Sequence, residues 1–543
     1  MSTATATATA SLPATRVGSP TPPARLSTPP PPPPSKAVPT DFRSSLSAWW
    51  NNSSYRDARV AEERLLRRLS MFEPTQTVTP VHTSKGWFGS HEKEISASET
   101  ALGNARAGDE VVPPLSVPGN SGLVATLRNV FIPTPDPAQA PAHPADPLPS
   151  EESAASSSSS LPSTKSGVKK HHGHHLHLHG KKGDSKHADY INTLELSTPE
   201  NANSKEAVVV LHGYAAALGF FYRNWDSVAT ASNNTGRRTF FLDWLGMGLS
   251  SRPSPALLSS PSATPIPARV SRAEHFFLAS LESWRQAAGL DKMVLVGHSL
   301  GGYLASAYAV RYPQRVSGLI LVSPAGIPHG PEYKRYPLSG EEGEQVVDAV
   351  ELELNSDQNE AKGEAKQWRE NRDRSFARRN MMKFFVWGWE KGISPFQFLR
   401  SMGPWGPMFA GRYSLRRFAA QSEEDIRDLH AYIYNTSILR GSGEYCISHI
   451  LAPGAYARVP IVDRIAQVKV PVTFLYGDND WMDVDGGRAS LKVLKEAGND
   501  NCSVHVVPNA GHHLYLDNPE FSNRVIGEAI QALPKLQTQT PSA

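Results

Sequence analysis

Four apolar residues, Met293-Val294-Leu295-Val296, run directly into Gly297-His298-Ser299-Leu300-Gly301-Gly302, and residues 303–312 then read as a helix. A Gly-x-Ser-x-Gly turn between a buried strand and a helix is compatible with few folds. The turn is sharp enough to force the serine into a strained backbone conformation, and side chains at the flanking positions would clash, which explains the glycines. The serine then stands exposed at a helix start, where the helix dipole and free N–H groups favour negative charge. Ser299 is therefore a candidate nucleophile. The motif alone recurs by chance; its strand-turn-helix setting gives it weight.

The surrounding pattern supplies the rest of an α/β architecture. Residues 208–211, 239–242, 293–296, 319–322, 472–476 and 504–507 are short apolar runs separated by helix-length segments. Such spacing implies a mostly parallel sheet covered by helices on both faces. No comparable strand occurs between Pro324 and Pro460. That interval reads as a helical cap, about residues 327–460, inserted after the fourth of these strands.

Further site residues follow from where the other strands end. Leu211-His212-Gly213-Tyr214 closes an early strand. An oxyanion hole in this setting uses one N–H after the nucleophile and one from this loop, which assigns the amides of Leu300 and Tyr214. Asp243 to Ser251 reads as a tight supporting loop. An acid is expected next in the chain and a histidine last. Gly477-Asp478-Asn479-Asp480-Trp481-Met482-Asp483 follows one strand, and Gly511-His512-His513 follows the last. A buried carboxylate must orient the imidazole and stabilise its charged form. Asp480 and His512 are the assignment. Asp478 and Asp483 are rival acids, read as a turn acid and a surface acid, and His513 is the rival base. Asp517, five residues after His512, has two readings: it or Asn518 caps a helix beginning at Pro519, or it serves acyl transfer.

The first third of the chain is different. Of 45 prolines, 24 precede residue 191, and this region includes runs at 29–34 (Pro) and 156–160 (Ser). Such composition buries too little apolar surface to offset chain entropy. Residues 1–42 are expected to be disordered. They lack acids before residue 41 and carry Arg16, Arg25 and Lys36, which also fits an organelle transit segment. Residues 43–72 read as a basic amphipathic helix behind Trp49-Trp50, with Ser54 as its cap. Two placements fit it: packed on the globular domain, or laid on an anionic membrane with the indoles at headgroup depth. Residues 73–189 read as a low-complexity linker with one short element near 122–131. Its histidines at 171, 172, 174, 175, 177 and 179 lie among lysines without a rigid frame and read as solvated, not as a metal site. Residues 190–535 form the globular domain and 536–543 a tail.

The 55 Lys+Arg against 52 Asp+Glu, a net charge of +3, give no basis for bulk nucleic-acid binding. Two cysteines exclude a disulfide framework. No apolar run is long enough to span a bilayer. The cap has eight acids between Glu341 and Glu360. A basic stretch from Lys362 to Lys383 follows, then Phe384-Phe385-Val386-Trp387-Gly388-Trp389. Basic residues beside aromatics suit an anionic membrane surface, and a solvated helix followed by a core-facing segment fits equally.

The combined motifs are more specific than the elbow alone. They are Trp49-Trp50 with Ala61-Glu62-Glu63, residues 190–194 and 297–302, Ser442-Gly443-Glu444-Tyr445, residues 476–483, and Gly511-His512-His513-Leu514-Tyr515-Leu516-Asp517. Over about residues 43–72 and 190–535 the chain resembles an α/β-hydrolase-domain family. That family includes the coactivator of adipose triglyceride lipase, N-acyl phospholipid lipases and the fungal cardiolipin-specific deacylase, and the low-complexity tract and charged cap look most like the fungal member. The resemblance implies the α/β-hydrolase fold, a phospholipid substrate with cardiolipin foremost, peripheral membrane binding and a mitochondrial location, with cytoplasm or a lipid-droplet surface as the alternative. It also implies that His512 and Asp517 form a His-x4-Asp motif linked to lysophosphatidate acyl transfer. The expected activity is serine acyl hydrolysis without metal or organic cofactor. The alternatives are acyl transfer from acyl-CoA to a lysophospholipid, and a non-catalytic lipid-surface scaffold, which the retained Ser299 disfavours.

Overall fold

The computed structural model describes residues 32–52, 55–69, 122–146, 189–258, 260, 264–330 and 376–536. The Ser54 cap, the histidine tract, the acidic segment 341–360 and the basic residues 362–374 lie outside the described residues.

Two helices come first, α1 (Phe42–Trp50) and α2 (Tyr55–Leu66), then strands β1 (Val124–Ile132), β2 (Asp189–Ser197) and β3 (Glu206–Leu211). Helix α3 (Trp225–Asn233), β4 (Arg238–Leu242), α4 (Ile266–Ala287), β5 (Lys292–His298), α5 (Leu300–Arg311) and β6 (Val316–Val322) follow. The cap contributes α6 (Phe376–Glu390), α7 (Pro395–Ser401), α8 (Gly406–Arg417), α9 (Glu423–Ser437) and the short α10 (Ile447–Ile450). The chain then returns to the sheet with β7 (Val472–Gly477), α11 (Val484–Glu496), β8 (Cys502–Val507), α12 (Leu514–Asp517) and α13 (Pro519–Gln531).

One eight-stranded sheet has the order β1-β2-β4-β3-β5-β6-β7-β8. From β4 to β8 every pairing is parallel; β1 with β2 and β2 with β4 are antiparallel. Side-chain alternation sends Val209, Leu211 and Leu295 to one face, under α4 and α5, and Val208, Val210, Val294 and Val296 to the other, under α2, α3 and α13. Both faces are covered, so the central strands read as unbroken apolar runs. The chain winds away from β3 in both directions, to β4 and to β5. A crevice therefore opens at the carboxyl ends of these strands.

The short element expected near 122–131 is β1, which pairs along its whole length with β2, Val124 opposite Ser197 and Ile132 opposite Asp189, and forms the sheet edge. The tryptophan pair sits on its own helix, α1, and of the two placements that fit the helix behind it the structure shows packing on the globular domain. Helix α2 is built into the core, with Ala58, Ala61, Leu65 and Leu66 fully buried. Arg59 of α2 and Arg67 and Arg68 just beyond it have partners within the fold: Arg59 bonds Glu62 at 2.8 Å, Arg67 bonds Glu63 at 2.8 Å, and Arg68 pairs with Asp425 and, at 2.6 Å, with Asp428 of α9. The arginines that suggested a lipid surface are thus paired within the fold, Arg68 with the cap.

Helix α1 differs. Ser45 donates to the Pro404 carbonyl at 2.6 Å and accepts from Met408 N–H at 2.8 Å, fixing α1 to the cap. Phe42 lies 4.3 Å from Trp405, ring centre to ring centre. Trp49, Trp50, Trp405 and Phe409 remain exposed, Trp50 by 77%. Among the described residues no helix is long and apolar enough to cross a membrane.

Candidate active site

The residues singled out in the sequence lie at the carboxyl ends of β3, β5, β7 and β8. Ser299 follows β5 with φ 52° and ψ −119°, a left-handed conformation that costs a non-glycine residue of order 1–3 kcal/mol. The fold imposes it through close contacts. A Cβ on Gly301 would lie 2.4 Å from the Leu211 carbonyl oxygen, and one on Gly297 would lie 2.5 Å from that of Gly301. Strand β3 and the elbow can approach this closely only with glycine there.

The β3 loop passes directly over the serine. A Cβ on Gly213 would fall 2.9 Å from Ser299 Cβ. The Tyr214 amide thus belongs to backbone lying against the nucleophile, and the Leu300 amide opens α5 beside it. His212 braces this loop: Nδ1 donates to the Gly213 carbonyl at 2.7 Å and Nε2 accepts Trp244 N–H at 3.1 Å. Burial lowers its pKa, consistent with a neutral ring. The Tyr214 ring meets Phe396 of α7 at 4.8 Å, so the cap roofs the loop.

His512 Nδ1 is 3.1 Å from Asp480 Oδ1. Asp480 also accepts Met482 N–H at 3.0 Å and the Ser323 hydroxyl. A carboxylate held by three donors keeps its orientation, and it fixes the imidazole tautomer that leaves Nε2 to take a proton. Ser323 follows β6 with φ 44°, a second strained serine at the same sheet edge. The rival acids have other work. Asp478 accepts Ala510 N–H at 3.0 Å, tying the β7 and β8 turns together, and Asp483 caps α11. His513 packs against His298 and Phe220.

Asp517 does not cap α13; Asn518 does, accepting Phe521 N–H at 3.1 Å. The Asp517 carboxylate accepts Gly511 N–H at 3.0 Å and lies 3.5 Å from Arg417 of the cap.

Residues 206–519 match the model of a family described as alpha/beta hydrolase fold. The chain belongs to the α/β-hydrolase family. A 1-acylglycerol-3-phosphate O-acyltransferase of Arabidopsis thaliana is 33% identical over 341 residues, 62% of this chain and 68% of the plant protein. A (lyso)-N-acylphosphatidylethanolamine lipase of Mus musculus is 31% identical over 337 residues, 61% of this chain and 80% of the mouse protein. The human 1-acylglycerol-3-phosphate O-acyltransferase ABHD5 is 28% identical over 346 residues, 62% and 80% of the two chains. Among solved structures, an esterase from Exiguobacterium antarcticum aligns at 17% identity and a TM-score of 0.35, covering 64% of this chain and 97% of the esterase. The hydrolase family with lipid-acting relatives is thus the one the sequence motifs indicated.

Several residues of this hydrolase site were not recognised in the sequence. His298, the variable residue of the elbow, has Nε2 3.0 Å from the His512 carbonyl oxygen. Burial, followed by the neighbouring His512, holds its pKa well below the usual value, so its ring is neutral and Nε2 is the donor. Asp243 accepts the Leu218 and Leu249 amides at 2.7 and 2.8 Å and Asn192 Nδ2 at 2.9 Å. Asn192 in turn donates to Glu62 of α2 at 2.8 Å and accepts from Arg59 at 2.9 Å. Tyr432 of α9 lies 3.3 Å from Glu62 and accepts the Gly219 amide at 3.4 Å. The N-terminal helix is therefore wired to the segment that follows the oxyanion loop. The available signal was the pair of motifs 61–63 and 190–194, which carried only the resemblance.

Among the described residues there is no group of three or more His, Cys, Asp or Glu arranged to hold a metal.

Proposed function

We propose that the protein is a serine acyl hydrolase that deacylates membrane phospholipid through an acyl-enzyme on Ser299. The observation that carries this reading is the His512–Asp480–Ser323 chain at the same strand ends as the strained Ser299. His512 Nε2 takes the Ser299 proton as Oγ attacks the acyl carbonyl. The amides of Tyr214 and Leu300 hold the oxyanion. The imidazolium then protonates the departing lysophospholipid, and water resolves the acyl-enzyme. Asp480 orients the ring throughout.

The lipid-acting names of the plant, mouse and human relatives support a phospholipid substrate. Cardiolipin and a mitochondrial membrane are the finer choices that the sequence resemblance supports. The cap supports a membrane surface on physical grounds. Within residues 376–421 Lys383, Lys391, Arg412 and Arg416 are exposed, and the single acid of the segment is Glu390. Exposed Trp387, Trp405 and Phe409 lie in this segment, and α1 adds Trp49 and Trp50 beside it. A cationic, aromatic surface fits an anionic bilayer, with indoles at the headgroup level.

Acyl transfer is the second reading, favoured by relatives named acyltransferases. It uses the same acyl-enzyme, with a lysophospholipid hydroxyl replacing water. Product analysis by mass spectrometry separates the two. Wild type and Ser299→Ala would be incubated with cardiolipin-containing anionic vesicles, with and without labelled acyl-CoA. Fatty acid and lyso-lipid formed only with Ser299 is the expected result. Label entering lysophospholipid would assign transfer, and no turnover of either kind would favour the scaffold. Fractionation of cells would test the mitochondrial location against cytoplasm and lipid droplets.

A further inference from the structure

Asp517 lies in the motif associated with acyl transfer, yet its carboxylate has a different occupation. Oδ2 accepts the N–H of Gly511, the residue immediately before His512, at 3.0 Å. Oδ1 lies 3.5 Å from Arg417 Nη1, and the two side chains are only 1% and 7% exposed. Arg417 ends α8, a cap helix remote in sequence. A second tie joins the same parts: Gln421, just beyond α8, donates to the Leu516 carbonyl at 3.3 Å. The surroundings offer little other charge. His298 and His513 are held neutral by burial, reinforced in both by the Arg417 charge, and burial raises the pKa of Tyr515. A carboxylate buried among neutral groups is held in place by its cation.

We infer that Arg417 and Asp517 are a positioning pair through which the cap holds the turn that presents His512. The inference rests on the acyl-hydrolase reading of Ser299 and His512. Asp517 fixes the amide on one side of His512, while His298 fixes its carbonyl oxygen on the other. The imidazole thereby meets Asp480 from a backbone clamped at both ends. In this role Asp517 serves hydrolysis and transfer alike, because both begin with the same proton removal from Ser299. The pair also makes the reactivity of His512 depend on the cap being seated.

The test uses the full-length protein and the variants Arg417→Met, Asp517→Asn and the double substitution. The readouts are the rate of fluorophosphonate labelling of Ser299, kcat and KM on a soluble short-chain ester, and thermal stability. Each single change is expected to slow labelling and lower kcat by roughly tenfold or more, with KM nearly unchanged. The double variant, which leaves no buried charge unpaired, should be no slower than the worse single variant. It also carries the comparison if a single variant does not fold. Variants of lower stability that label at the wild-type rate would overturn the inference and leave the pair purely structural. Asp517→Asn that loses only transfer to a lysophospholipid, with labelling intact, would overturn it in favour of a dedicated transfer role. A wild type that takes no label would overturn the serine-hydrolase reading itself, and this inference with it.

Discussion

His298 Nε2 donates to the backbone carbonyl of His512 at 3.0 Å, so the residue beside the nucleophile holds the residue that activates it. The β5 elbow and the β8 turn are 214 residues apart in sequence. The same His512 meets Asp480 at 3.1 Å through its side chain.

Replacing His298 by Phe keeps an aromatic ring but removes the donor. The buried His512 carbonyl would then lack this partner, which costs about 1–3 kcal/mol. We expect kcat to fall on the order of tenfold or more, with little change in KM. Steady-state kinetics on a soluble ester measure this, and unchanged kcat would show that the contact is incidental.

Ser323→Ala removes one of the three donors on Asp480. Asp480 keeps Met482 N–H and His512, so we expect a partial loss, roughly tenfold in kcat, against a loss of at least about a thousandfold for Ser299→Ala. Equal losses in the two variants would show that Ser323 does more than orient the acid.

Glu62→Ala leaves Arg59 buried without its carboxylate. Breaking a buried ion pair from one side typically costs about 3–5 kcal/mol. Thermal or denaturant unfolding should show a large loss of stability, and deleting residues 55–69 should prevent folding. A deletion variant that folds normally would contradict the core placement of α2.

Trp49→Ser with Trp50→Ser changes exposed groups that sit on the cap side of the molecule. Stability should change by less than about 0.5 kcal/mol, while flotation with anionic vesicles should fall severalfold. Undiminished vesicle binding would remove α1 from the proposed membrane face.

The buried histidines set an acid limit. Burial is the leading cause that depresses His298 and His513 well below the usual imidazole value, and it lowers His430 and His449 to about 4. A base with a depressed folded pKa contributes fully above its unfolded value of 6.5, and that contribution is lost as pH falls through the folded value. Stability should therefore decline from about pH 6.5 towards 4, by about 1.4 kcal/mol per pH unit for each histidine still neutral only in the folded state. Chemical unfolding at stepped pH measures it. A flat profile between pH 7 and 5 would contradict the neutral burial of these rings.

The elbow, the strand ends and the order of Ser299, Asp480 and His512 were legible because each rests on consecutive residues. A buried strand, a glycine turn and a helix start each leave a local mark. The two antiparallel strands at the β1 end of the sheet were harder. β1 lies between proline- and serine-rich tracts, and β2 has Asn192 and Thr193 in mid-strand because its polar groups serve a buried network. A pattern of apolar alternation does not register such residues.

The sequence by itself determined the α/β class, the inserted cap and the residue types gathered at the strand ends, since these follow from hydrophobic period and turn chemistry. Only the tertiary structure decided what the charges were for. A periodic helix with five arginines between residues 56 and 68 suits a membrane and a core equally well. The decision came from Glu62, Glu63, Asp425 and Asp428, which accept Arg59, Arg67 and Arg68 inside the fold. The same holds for Asp517, whose meaning depends on Arg417 a hundred residues earlier. Periodicity reports which side of an element avoids water, whereas the partner of a buried charge is set by long-range packing.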